Sequence, residues 1–136
     1  MVMGAMSRDK GKAGEREVAR EISLLTGWNV RRKVRQLDGE SDLEGVPGWS
    51  VEVKRHAVAL PGDIAAWWKQ AHDQAVSSGP AEVPVLFFRA NGRKWRAVFP
   101  LSIVMGRAPQ DQPGYEWSCE VGLEAWAAIA RERYAG

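Results

Sequence analysis

The sequence is poor in the residues that staple or anchor a chain. It has one cysteine, Cys119, which excludes an intrachain disulfide and a cysteine-based zinc cluster. A reducing, cytoplasmic setting is the default expectation. Its two histidines, His56 and His72, have no partner arrangement that suits a serine or cysteine nucleophile. No apolar run approaches the ~20 residues of a membrane span. The opening Met1–Met6 stretch is too short and too lightly apolar for a secretory signal. Neither sign of charge dominates: the net charge is +2, so the total does not announce nucleic acid and the distribution matters more. No repeat or low-complexity tract divides the 136 residues. One domain is expected, with residues 1–9 as a loose tail.

What the sequence does have is a short stretch that carries chemistry, Trp49-Ser50-Val51-Glu52-Val53-Lys54-Arg55. As a strand, it turns Trp49, Val51 and Val53 to one face and Glu52 and Lys54 to the other. A second strand-like piece, Asp42-Leu43-Glu44, begins ten residues before Glu52. Asp-x(n)-Glu-x-Lys is the skeleton of a metal-dependent nuclease site, although Glu-x-Lys is also common on solvated strand faces. Upstream, a helix is expected over Lys12–Thr26, with Val18, Ile22 and Leu25 as its apolar stripe. Glu15 lies in line with that stripe. It either needs an inward partner or metal, or sits exposed in the first turn, favoured by the helix dipole. Glu17, Arg20 and Glu21 fall where solvated charges belong.

Trp28–Arg35 reads as a strand with four basic residues and no acid, and it suits phosphate contacts or a charged edge strand. Short connections then predict an antiparallel meander of three strands. A second helix is expected from Asp63, as N-cap, to about Val76. Its adjacent Trp67 and Trp68 suit packing or base stacking. Val83–Phe88 reads as a central strand buried on both faces. Asn91-Gly92 marks a hairpin, and Lys94–Phe99 is its return strand. Arg89, Arg93, Lys94 and Arg96 cluster around that turn. A helical turn over Pro100–Met105, a loop over 107–114, an edge strand over Tyr115–Val121 and a last helix over Leu123–Tyr134 complete the chain. There are seven tryptophans, more than one small core commonly uses. Trp117 or Trp126 is therefore expected at a subunit interface.

The order helix, three strands, helix, strand, hairpin strand resembles the PD-(D/E)xK nuclease superfamily and, within it, the archaeal-type Holliday junction resolvases. The carrying residues are Lys10-Gly11-Lys12-Ala13-Gly14-Glu15-Arg16, Gly27-Trp28-Asn29-Val30-Arg31-Arg32, Ser41-Asp42-Leu43, Val51-Glu52-Val53-Lys54 and Gln70. The likeness covers roughly residues 8–100. It implies an α/β, restriction-endonuclease-like fold, a mixed β-sheet flanked by helices. It also implies a Mg²⁺-dependent endonuclease, with Mn²⁺ able to substitute, that acts as a homodimer on four-way DNA junctions and makes paired symmetric cuts. Glu15, Asp42 and Glu52 would be the metal-site acids, Lys54 the catalytic lysine, and Gln70 a further residue of the site. Arg16, Arg31, Arg32, Lys33, Arg35, Ser41, Arg55, Arg93 and Lys94 would contact DNA. Two features depart from the pattern. Ser41 stands where the superfamily name has proline, and the loop Gln36–Ser41 is less rich in small residues and adds two acids. The alternatives are a repair or restriction-type endonuclease of the same fold and a catalytically silent DNA-binding module. Intact Glu15, Asp42, Glu52 and Lys54 count against silence.

Overall fold

The computed structural model describes residues 2–34, 41–79, 82–106 and 114–136, with side chains from Gly11 onward. Helix α1 (Val2–Thr26) is followed by β1 (Arg31–Arg32), β2 (Leu43–Glu44), β3 (Trp49–His56) and helix α2 (Pro61–Ser78). Then come β4 (Val83–Ala90), β5 (Arg96–Pro100), the short α3 (Ser102–Met105), a 3₁₀ turn (Tyr115–Trp117), β6 (Ser118–Gly122) and α4 (Leu123–Ala135). The main sheet has the order β3-β4-β5-β6. β3 and β4 are parallel, as the intervening α2 crossover allows, and the other two pairs are antiparallel. This is the mixed sheet flanked by helices that the resemblance implies.

The period-2 pattern of the strands sorts the core into two layers. Val83, Val85 and Phe87 face α1 and α4, where they meet Val18, Ile22, Val51, Phe99 and Trp126. Leu86 and Phe88 face α2 and pack with Trp68, Ala71 and Val98. β4 is thus buried on both faces, as its continuous apolar run predicts. Each fully buried aliphatic or aromatic side chain of this kind contributes roughly 1.5–3 kcal/mol.

Five expectations need correction. Residues 2–9 belong to α1, which starts at Val2 instead of Lys12; the stretch has no proline to stop the helix earlier. The meander does not form as one sheet. Among the described residues β1 pairs only with β2, antiparallel, in a separate two-stranded ribbon, and the strand expected over Trp28–Arg35 is limited to Arg31–Arg32. Among the described residues the ribbon reaches β3 through one backbone bond, Asp42 N–H to the Val51 carbonyl at 2.8 Å. Side chains occupy the other positions: Val51 N–H donates to Ser41 Oγ (3.0 Å) and Val53 N–H to Asp42 Oδ2 (2.8 Å). The outer edge of β3 is therefore satisfied by the side chains of a two-residue segment instead of a full ladder. Asp63 is not the N-cap of α2. That position is Leu60, and Asp63 accepts the Leu60 N–H at 3.0 Å from the third helical position. Trp126 is fully buried, edge-on to Trp49 and Phe87, so it serves the core and not an interface. Trp117 is 40% exposed. Tyr115–Trp117 turns as a 3₁₀ segment before β6 instead of extending it.

Gly14 allows α1 to sit on β3. A Cβ placed on it would lie 2.8 Å from Arg55 Cβ and 3.7 Å from the Trp95 ring, whereas one on Gly11 would meet nothing within 4 Å. Gly14→Ala is expected to destabilise the protein by about 1–3 kcal/mol through overpacking. Gly11→Ala is expected to stabilise it by up to ~1 kcal/mol through helix propensity. Urea midpoints of the two variants check this. Stabilisation by both would mean that α1 does not depend on the close approach at Gly14.

Candidate active site

The segment Ser41-Asp42 positions one carboxylate through local bonds. The Ser41 hydroxyl donates to the Leu43 carbonyl (2.8 Å) while accepting from Val51, which clamps the segment to β3. Asp42 then aims its carboxylate along the β3 edge, where Oδ2 takes the Val53 N–H. The residue opposite the proline of the superfamily name thus acts as a backbone clamp in this chain.

Strand β3 supplies the second carboxylate. Glu52 and Lys54 share the α2 face of the strand, with Lys54 Nζ 3.3 Å from Glu52 Oε1. Gln70, on the inner face of α2, donates from Nε2 to the same Oε1 at 3.2 Å. Both contacts fall on Oε1, and Oε2 takes no hydrogen bond among the described residues. One helical turn on, Gln74 Nε2 donates to Ser50 Oγ (3.3 Å) and to the Val51 carbonyl (3.1 Å). The fully buried Ser50 and the buried Gln74 fix α2 against β3. Gln74 was not singled out in the sequence; its signal is the i, i+4 spacing from Gln70 on the sheet-facing stripe.

Glu15 approaches from α1. Its Oε2 lies 3.4 Å from Arg32 Nε, an ion-pair contact without hydrogen-bond alignment, and both side chains are largely buried. This joins α1 to β1 and favours the inward reading of Glu15. Arg32 consequently faces a carboxylate, and Arg31 pairs with Glu44 at 3.8 Å across the ribbon. Arg16 is exposed on α1. Arg55 lies on the α1 face of β3, away from Lys54, and donates to Asn91 Oδ1 at 2.7 Å. Arg93 and Lys94 are exposed at the β4–β5 turn and line a cleft with Glu17, Glu21 and Arg89. Lys33 N–H donates to the Asp42 carbonyl at 3.1 Å. Arg35 and residues 36–40 lie outside the described residues, as do residues 107–113 of the expected loop. Glu17 is not a freely solvated charge: it pairs with Arg89 and accepts from Trp95 Nε1 at 2.8 Å, tying the hairpin to α1.

Electrostatics single out the two central acids. Burial pushes the Asp42 pKa up to about 8, and the neighbouring Glu52 and Glu15 charges push in the same direction, against the Val53 N–H and Lys54. Burial also raises Glu52, opposed by the Lys54 charge and hydrogen bond. Two desolvated carboxylates that repel each other suit either a shared proton or a hard cation. Among the described residues no group of three or more His, Cys, Asp or Glu side chains gathers around one metal position. Asp42 and Glu52 together still meet the need of a dication that keeps several waters beside one or two carboxylates. Glu15 stands behind them, engaged with Arg32.

The raised pKa of Asp42 has a defined effect on stability. Below its ordinary value of 3.8 the group is protonated both folded and unfolded. Between there and about 8 the folded state holds the proton more tightly, so the metal-free protein loses stability as pH rises through this window. Asp42→Asn is expected to raise the stability of the metal-free protein by on the order of 2 kcal/mol at pH 9. The gain should disappear near pH 4. Chemical denaturation at the two pH values measures it, and an equal effect at both would contradict the electrostatic account.

Among the described residues no helix is long and apolar enough to cross a membrane. No curated protein matches the chain. A solved structure, that of Archaeoglobus fulgidus Hjc, a Holliday junction resolvase from an archaeal hyperthermophile, is similar at 14% identity with a TM-score of 0.48. That likeness covers 89% of this chain and 95% of the other. The model of a family described as "Phage putative PDDEXK endonuclease" matches residues 6–119. With most of its length matched, the chain belongs to this endonuclease family and is a nuclease of the PD-(D/E)xK type.

Proposed function

We propose that the protein is a divalent-metal-dependent endodeoxyribonuclease that resolves four-way DNA junctions by paired cuts. The observation that carries the nuclease chemistry is the cluster at the β3 edge: Asp42 and Glu52, both raised by burial and by neighbouring acids, with Lys54 and Gln70 on Glu52 Oε1. The junction preference is supported by the sequence resemblance of the Lys10–Arg16 stretch and its neighbours to the archaeal-type resolvases.

Asp42 and Glu52 would hold Mg²⁺ or Mn²⁺, with Glu15 closing the site from α1. When bound, the cation lowers the pKa of a coordinated water and offsets charge on the phosphate. Gln70 fixes the orientation of Glu52 by donating to one carboxylate oxygen, so that the other oxygen faces the site. Lys54 places an ammonium beside the phosphate undergoing attack and stabilises the negative charge that grows on its non-bridging oxygens. The attacking water forms the new P–O bond, the ester P–O bond breaks, and the departing oxygen takes up a proton.

Phosphate contacts from Arg16, Arg93 and Lys94 would position the duplex arms without reading sequence. Arg31, Lys33, Arg35 and Arg55 belong to the same proposal, while Arg32 and Ser41 act first by holding Glu15 and Asp42 in place. A two-fold dimer matches the approximate two-fold symmetry of a junction. Exposed Val104, Met105, Tyr115 and Trp117 support a self-complementary face. They lie on α3 and the 3₁₀ turn, which the Leu101 N–H joins through the Trp117 carbonyl.

The test is cleavage of a labelled four-way junction with Mg²⁺ beside a linear duplex of the same sequence. Wild type is expected to cut the junction in symmetric pairs. Glu52→Ala should abolish cutting while binding in Ca²⁺ persists, and Lys54→Ala should slow it by about 10²-fold or more. Equal cutting of the duplex would make the protein a general endonuclease of its family. Binding without cutting under any divalent metal would remove the catalytic assignment.

A further inference from the structure

The α2 face of β3 presents four polar side chains in a row, Ser50, Glu52, Lys54 and His56, spaced by about 6.6–6.8 Å along the strand. Three side chains of α2 stand opposite three of them. Gln74 meets Ser50, Gln70 meets Glu52, and the Trp67 ring stacks on His56 with centroids 4.7 Å apart and planes 24° from parallel. The row runs from core to solvent: Ser50 is fully buried, Glu52 buried, Lys54 half-buried and His56 exposed. The nuclease reading uses the middle of the row and leaves its outer end without a role.

That outer end is built. Trp67 rests on Phe88, with ring centroids 6.2 Å apart, and is partly buried against the α2-side core. His56 stacks on Trp67 and remains exposed, and Trp67 leans at 49° against Phe88, so the three rings step from the core to the surface. The following segment keeps two aliphatic side chains in solvent, Val58 at 60% and Leu60 at 59% exposure. A π-stacked pair with one exposed ring, followed in the chain by exposed aliphatic groups and two residues beyond Lys54 on the same strand face, has the chemistry of a base-stacking platform.

We infer that the His56–Trp67 stack is a shelf for an unpaired nucleobase of the strand cut at Lys54. This rests on the nuclease reading above and deepens it by naming the substrate feature the site accepts. A base inside a duplex is stacked on both sides and cannot reach the shelf. A base at a branch point or fork has a free face, and stacking on the imidazole continues the stack that begins at Trp67. Stacking tolerates any base, so the shelf selects for unpaired structure without selecting sequence.

The experiment uses the full chain in Ca²⁺, with 2-aminopurine placed beside the branch of a forked DNA, and with a linear duplex of the same sequence as control. Cleavage of the same fork in Mg²⁺ is measured in parallel. Wild type is expected to bind the fork and quench the probe. His56→Ala, at an exposed position, should weaken fork binding about tenfold and lose the quenching, with duplex binding unchanged. His56→Phe, which stacks but cannot ionise or donate, should restore both. If wild type binds and cuts while His56→Ala matches it, the shelf alone is overturned. If His56→Phe fails like His56→Ala, the histidine acts through its nitrogens, and the shelf is likewise overturned. A change in sedimentation with either variant would assign the face to a second copy of the chain and overturn the proposal. A wild-type protein that neither binds nor cuts the fork would overturn the nuclease reading and the shelf together.

Discussion

Two carboxylates in one partly desolvated corner are the constraint around which the structure is arranged. Asp42 and Glu52 each lose hydration, Glu52 raises the proton affinity of Asp42, and Glu15 raises that of both. Burial of such a pair is costly unless something positive shares the space. Lys54 supplies one charge but sits on a single oxygen of Glu52. The remaining imbalance is what a hard dication relieves, and on this account it is also why the fold tolerates the corner.

The elements around the corner hold it from three sides. Parallel pairing of β3 with β4 makes β3 the edge of the main sheet, and the Ser41-Asp42 segment closes that edge with side-chain acceptors in place of a ladder. Helix α2 fixes the Glu52 face through Gln70 and Gln74. Helix α1 reaches the other side because Gly14 lets it approach β3, and there Glu15 meets Arg32. The Glu17 contacts with Arg89 and Trp95 tie the far hairpin to the same helix. Each carboxylate thus has its own support, and the supports come from different elements. This makes the geometry stiff without a ready-made cage of three acidic ligands.

Much of this was legible in the sequence where a short period governs. The two-residue alternation of β3 placed Glu52 and Lys54 on one face and Val51 and Val53 in the core. The unbroken apolar run of β4 marked a strand buried on both sides. The position of Glu15 in line with Val18 and Ile22 allowed an inward place but did not decide it against an exposed first turn; the contact with Arg32 does. What was not legible depends on partners distant in sequence. Arg32 looks like a phosphate contact until Glu15 is folded against it, and Glu17 looks solvated until Arg89 and Trp95 arrive. The three-strand meander failed because side chains of Ser41 and Asp42 took over hydrogen bonds that a backbone ladder was expected to make. Trp126 was misplaced because tryptophan count alone does not separate a large core from an interface. Of the His56–Trp67 stack only one half was visible, a tryptophan able to stack on bases.

The central claim is that a divalent cation, held by Asp42 and Glu52, replaces the proton that Asp42 carries in its absence. Calorimetric titration of Mn²⁺ into the metal-free protein at pH 6.5 and 8.5, in buffers of different ionisation enthalpy, tests it most directly. The account predicts proton release on binding at the lower pH, affinity that rises by up to about tenfold per pH unit below 8, and loss of that proton release in Asp42→Asn. Binding that releases no proton and has the same affinity at both pH values would contradict it.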